Sequence, residues 1–269
     1  MKAQLSLVFA VFSVLLVKAQ EAYWDTYLAR YDNGVGSVTL NMDLMEVAPK
    51  PELPFLIITG VDVKGCTGEG FPKKDEFNKL YKISNGVNKV IFASTQAELA
   101  GTFTYQCQRL DYLFVKDTLA LREKLVQHYK RSCQSYTYHI TIRRDEDWDA
   151  YLNFLYPNEE TKAFMQNSRV VDQMKGAGDR LDQPRIISHL IYFDSEEGRS
   201  LFSEYVTGLK FKVEMTRETK QKKYSYLLQI ARPDVADFEM ISKVTKVLRE
   251  KAAEYGGEYD GWTASVISK

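Results

Sequence analysis

The chain has 269 residues, 45% of them apolar and 27% charged, with 36 basic side chains against 36 acidic ones. That length holds one large domain or two small ones, and the composition belongs to a folded protein, which excludes a wholly disordered chain. A formal charge of zero argues against a long basic stripe tracking a nucleic-acid backbone, so no specific nucleic-acid partner is expected.

In chain order, Met1-Lys2 supplies a positive start and Leu5 to Val17 is an apolar run broken only by small residues. Val17-Lys18-Ala19 then places small residues at the two positions a signal peptidase reads. The run is about 13 residues, too short to span a bilayer that takes roughly 20 helical residues. Residues 1–19 therefore read as a removable secretory signal peptide, with no membrane anchor after cleavage. The mature chain is expected to be exported, periplasmic or extracellular.

Trp24 to Met45 reads as a hairpin turning at Asn33-Gly34. LPFLIITGVDV from Leu53 is a buried strand. After Pro72 a helix presents Phe77, Leu80, Tyr81, Val87, Val90 and Ile91 to one side. LAGTFTYQCQRLDYLFVKD is a hairpin turning near Cys107-Gln108. DTLALREKLVQHYKRS is a helix capped by Asp117, with Leu121, Leu125, Val126 and Tyr129 inward. YTYHITIRR alternates as a strand. The order is βαββαβ after an extra N-terminal hairpin. A short helix with Trp148, Tyr151, Leu152 and Leu155 on its apolar face and a longer helix follow. KGAGDRLDQP has glycine, charge and proline without a period, so it reads as a linker with the boundary near Gly178.

The second half repeats the plan. Ile187, His189, Ile191 and Phe193 alternate in a strand, and Asp194 or Ser195 caps a helix carrying Leu201, Phe202, Tyr205, Val206 and Leu209 inward. Strands around Phe211–Met215 and Tyr224–Ile230 follow, and Pro233-Asp234 opens a helix with Phe238, Ile241, Val244, Leu248, Ala252 and Tyr255 buried. Gly256-Gly257 stops it, and WTASVIS is the last strand. The expected fold class is α+β: two ferredoxin-like (βαββαβ) sandwiches in tandem, each with spatial strand order 4-1-3-2. Residues 20–177 form the first domain, with two helices at its end, and residues 178–269 the second.

An export signal implies an oxidising destination, and three cysteines allow one bridge. Cys66 follows the first strand of domain one and Cys133 precedes its last strand, so both should lie at the same end of the sheet. Cys107 is expected at that end too, nearer the opposite edge. Cys66–Cys133 is the expected bridge, with three reduced thiols as the alternative.

No motif of a known reaction is present. His128, His139 and His189 share no metal-ligand spacing with each other or with a cysteine, and the latter two, on strands, read as packed or hydrogen-bonded residues. Asp145, Glu146, Asp147 and Asp149 lack the alternation and glycine of a calcium loop and suit a helix N-terminus instead. Lys210, Lys212, Arg217, Lys220, Lys222 and Lys223, interspersed with Glu214 and Glu218, read as a solvated hairpin. No catalytic residue, cofactor or metal is expected.

Tyr259-Asp260-Gly261-Trp262 is unexplained by helix termination. A turn wants Asp-Gly and has no use for flanking Tyr and Trp, so these residues read as a contact surface or a plug of the core edge. The run from Gly256 to Trp262, with SHLIYFDSEEGRSLFSEYVTGLKFKVE from Ser188, resembles the bacterial ribonuclease E inhibitor B family. WDTYLARYDNG, LPFLIITGVDV, GFPKKDEFNKLY and LAGTFTYQCQRLDYLFVKD resemble the domain-of-unknown-function family 695. The first resemblance implies a non-enzymatic domain that binds another protein and alters its activity. An export signal would separate this chain from a cytoplasmic ribonuclease, so the domain carries over and the target does not. Two alternatives follow: a ribonuclease regulator, if the chain stays in the cytoplasm, and a hydrolase using Glu258 and Asp260.

Overall fold

The computed structural model describes residues 22–219 and 223–268; the expected signal peptide, Lys220 and Lys222 lie outside these. The chain divides into two compact units, Met1–Tyr156 and Pro157–Lys269. Each is a mixed α+β structure on an antiparallel sheet.

The first unit contains β1 (Trp24–Tyr31), β2 (Gly34–Asn41), β3 (Phe55–Asp62), α1 (Phe77–Phe92), β4 (Ala97–Tyr105), β5 (Gln108–Val115), α2 (Leu121–Ser132) and β6 (Tyr138–Arg144). Its sheet runs β1-β2-β4-β5-β3-β6. The β4–β5 turn is Gln106-Cys107, with φ of 45° and 62°. Two left-handed residues match the twist of a hairpin, although no glycine announces the turn. Alternation sends Ile57, Val61, Leu113 and Val115 to one face, where Leu80, Val87 and Ile91 of α1 and Leu121, Leu125 and Tyr129 of α2 cover them. The other face receives Trp148, stacked on Phe114 with ring centroids 3.9 Å apart. Its indole Nε1 donates to the Leu53 carbonyl at 3.1 Å. Trp148 sits at φ 55°, a conformation bulky residues avoid; full burial of the indole holds it there. Truncating a side chain so packed typically costs about 3–5 kcal/mol. A short π-helical turn, Ala150–Leu155, completes this layer, and Asp145 accepts from the Asp149 and Ala150 amides at its start.

Three expectations in this unit change. Phe77 and Tyr81 are exposed, lying against each other, with the Arg109 guanidinium over the Tyr81 ring. Asp117 accepts from the Leu119 amide and from Thr95, and α2 starts later, after Ala120 at φ 53°. The bridge is Cys66–Cys107, not Cys66–Cys133. β5 is the direct neighbour of β3, with Asp62 opposite Gln108, so the turn carrying Cys107 lies beside the segment leaving β3. Cys133 is a buried free thiol at the C-terminal end of α2, in the helical layer.

The second unit contains α3 (Glu159–Gly176), β7 (Arg185–Phe193), α4 (Glu196–Gly208), β8 (Lys212–Glu218), β9 (Tyr226–Asp234), α5 (Phe238–Glu254) and β10 (Gly257–Ala264). Its sheet order is β10-β7-β9-β8. Phe202 and Val206 of α4 and Leu248 and Ala252 of α5 pack on Ile191, Phe193, Leu228 and Ile230, whereas Leu201 and Leu209 are exposed. Ser195 caps α4. Pro233-Asp234 stays in β9, and Asp237 caps α5 by accepting from the Glu239 and Met240 amides. Pairing of β8 with β9 ends at Ala231, so Pro233 sits where β9 has lost one neighbour and needs one donor fewer.

The boundary expected near Gly178 also moves. α3 belongs to the second unit: Asn167 Nδ2 donates to Thr245 Oγ1 at 2.8 Å, and Phe164 meets Phe238 edge-on. The expected linker is clamped. Arg185 and Asp179 form a buried ion pair at 2.5 Å, Arg185 also donates to the carbonyls of Arg180 and Ser265, and Asp179 accepts from the Ile267 amide. This cation holds the Asp179 carboxyl below the usual range against the opposing effect of burial.

Candidate functional site

α5 ends at Glu254; just past it, Gly256 has a left-handed φ of 70°, and an added Cβ there would lie 2.6 Å from the Asp194 carboxylate. β10 then begins at Gly257, so Tyr259, Asp260 and Gly261, expected before the last strand, lie inside it with Trp262. The pairing steps from Tyr259↔Ile191 to Gly261↔Leu190. Asp260 is the extra residue of a β-bulge. In a regular strand, residues three apart face opposite ways; the bulge turns Tyr259 and Trp262 to the same inward side and leaves Asp260 exposed.

Tyr259 closes the core beneath α5. Its hydroxyl is 2.8 Å from His189 Nδ1, and burial pushes the phenol pKa up. His189 is fully buried, with Phe211 edge-on to the ring. Burial, reinforced by the Arg232 cation, lowers its pKa to about 3, so the imidazole is neutral. Trp262 packs with Ile187 and Ile241, and its Nε1 donates to Asn167 Oδ1 at 2.9 Å. Asn167 thereby joins β10, α3 and α5 through one amide.

Beside this plug lies a cleft of about 350 Å³, walled by Gln166, Arg169 and Gln173 of α3, Arg249 of α5, and Asp260 and Trp262 of β10. The Arg249 guanidinium lies over the Tyr259 ring, 5.5 Å from its centroid, a cation–π contact. Both signs of charge, three primary amides (Gln166, Asn167 and Gln173) and an indole meet there, which suits hydrogen bonding to a polypeptide. Glu258 does not line the cleft, so Glu258 and Asp260 do not share it.

The sequence reading singled out Tyr259, Asp260, Gly261 and Trp262, and the structure brings all four to this cleft. It missed the opposite wall, because α3 was assigned to the preceding domain. Gln166, Arg169 and Gln173, spaced three and seven apart, share one helical face, and that spacing was an available signal. Arg249 was missed as well, since α5 was read only for its inward apolar stripe. Elsewhere, His139 Nε2 lies 2.6 Å from Asp62 Oδ1, beside Gln108. Asp111, buried among Ser84 and Thr102, has its pKa raised by burial despite both hydroxyls donating to it.

Residues 22–156, half of the chain, match the model of a family described as Family of unknown function (DUF695). The chain belongs to this family. Residues 164–263 match the model described as Regulator of ribonuclease activity B. The DUF695 match ends where the first compact unit ends, and the second match contains every cleft residue named above. No curated protein matches the chain. Among solved structures, one described as an unknown protein from Galdieria sulphuraria is 11% identical, covering 79% of this chain and 97% of its own, with a TM-score of 0.22. Another, described as "putative glycine cleavage system transcriptional repressor", is 9% identical, covering 79% and 98%, with a TM-score of 0.25. Neither likeness is close enough to carry an argument.

Proposed function

We propose that this chain is an exported, non-enzymatic regulator: two ferredoxin-like sandwiches in tandem, the first extended by its N-terminal hairpin, acting by binding another protein through the second unit. One observation carries the reading. The span matching Regulator of ribonuclease activity B holds a cleft whose floor is a structural plug and whose rim is polar, with Asp260 pushed outward by the bulge. The aromatic residues of the signature are occupied by packing, and the imidazole nearest them is buried and neutral, which is poor equipment for making or breaking bonds. The Cys66–Cys107 bridge supports an oxidising compartment.

The test is a photo-crosslinking residue placed at Asp260 in the full chain, with the same residue at exposed Glu197 as control, after fractionation and N-terminal sequencing. A discrete protein adduct at position 260 but not 197, on exported material starting near Gln20, is the expected result. An equal yield at both positions, or no adduct, refutes it. The second match favours one further reading, a regulator of an RNA-processing nuclease inside the cell. Uncleaved cytoplasmic protein crosslinked to a nuclease would replace the first reading with this one.

A further inference from the structure

Arg249 stands at the junction of two cavities. On one side is the polar cleft. On the other is a pocket of about 280 Å³ between α3 and α5, whose apolar floor is Ala163, Phe164 and Phe238. Both cavities also touch Asn167. The other cations at the pocket rim are already matched: Lys246 with Glu160 at 2.6 Å and Lys243 with Glu239 at 2.9 Å. Arg249 is not. Among the described residues it has no carboxylate within ion-pair distance and donates no hydrogen bond, and its close neighbour is the Tyr259 ring. Glu159, Glu160 and Glu250 act on it only from further away, and burial holds its pKa below the usual arginine value. A partly buried guanidinium without a carboxylate has given up hydration for little return, and its planar fork fits a carboxylate through two parallel hydrogen bonds.

Resting on the protein-binding reading above, we propose that Arg249 anchors a carboxylate of a partner polypeptide. An adjacent bulky apolar side chain enters the Phe164/Phe238 pocket, and the peptide backbone runs along the amides of Gln166 and Gln173. A simple fatty acid would match the pocket and the cation but would leave the amide-lined cleft unused; a peptide matches all three.

The probe is an array of octapeptides, each carrying Asp or Glu beside Leu, Phe or Trp, paired with Asn or Gln isosteres and read with the labelled full chain. A subset binds, at least tenfold tighter than its amide isosteres. The same factor is lost in Arg249→Gln and in Phe164→Ser and is partly kept in Arg249→Lys, each read well below its own thermal midpoint, because Arg249 lies over Tyr259 and Phe164 packs on Phe238. Titrating the best peptide shifts the Trp262 indole N–H resonance. Isosteres that bind equally, an Arg249→Gln chain that binds like the parent, no retained peptide, or an indole shift with dodecanoate only would each overturn the proposal. If the array fails while the Asp260 adduct forms, this site falls and protein binding stands; if both fail, both fall.

Discussion

Breaking the Cys66–Cys107 bridge is the most direct test of the first unit. The bridge spans 41 positions along the chain, and the segment between its ends contains α1 and β4. In the chain-entropy account, a crosslink of that span stabilises by about 4 kcal/mol at 25 °C, because it restricts the unfolded chain. That is a large part of the 5–15 kcal/mol that holds a typical domain together. The assay is urea unfolding of Cys66→Ala/Cys107→Ala in a Trp262→Phe background. Trp24 and Trp148 then remain, both in the first unit, so the fluorescence reports on that unit alone. With a slope of about 2 kcal/mol per molar urea, the midpoint should fall by about 2 M. Cys133→Ala should move it far less, since it removes one small buried side chain and no crosslink. A loss under about 1 kcal/mol in the double variant, or a non-reducing peptide map joining Cys133 to either partner, would refute the reasoning.

Acidification separates the two units. His189 has a folded pKa of about 3 against about 6.5 unfolded, so the unfolded state binds the extra proton between those values. The second unit therefore keeps its full stability above pH 6.5 and loses up to about 1.4 kcal/mol per pH unit below it; His189→Leu should flatten that slope in denaturation curves from pH 7 to 4. Asp111 has the opposite sign: its raised pKa favours the folded state at low pH, with stability lost as pH rises through the folded value. Asp111→Asn should remove that trend from the first unit, and an unchanged pH profile would argue against a raised pKa. A fragment of residues 157–269 should give a cooperative melt, whereas one of residues 178–269, lacking Asn167 and the rest of α3, should not; the single change Asn167→Ala should cost about 1–3 kcal/mol by orphaning the Trp262 and Thr245 partners. Gly60→Ala would put a Cβ 2.0 Å from the Arg109 carbonyl across the β3–β5 pair, and a destabilisation below about 1 kcal/mol in the same urea assay would show that the strands can part more easily than their packing implies.

Sequence alone determined the local elements. Alternation at Ile187, His189, Ile191 and Phe193 named one buried face of β7, and the 3.6-residue stripe of Ile241, Leu248 and Ala252 named the inward side of α5. These are legible because a single element's periodicity records which side meets the core. The same patterns overreached at Phe77, Tyr81 and Leu201, where an apolar residue at the margin of a stripe ends in solvent. What only the tertiary structure decided was partnership. The expected strand order already set β5 beside β3, but that Cys66 meets Cys107 of the β4–β5 turn, and not Cys133 buried at the end of α2, was fixed only on folding. The stretch from Lys175 to Pro184 looked like a linker because Arg185 finds Asp179 and the C-terminal tail only once the unit is folded. Trp262 and Asn167, 95 residues apart, share a hydrogen bond that assigns α3 to the second unit. The Asp260 bulge and the unmatched Arg249 arise in the same way. Each depends on which distant backbone comes alongside, and residues remote in the chain leave no local period by which to find one another.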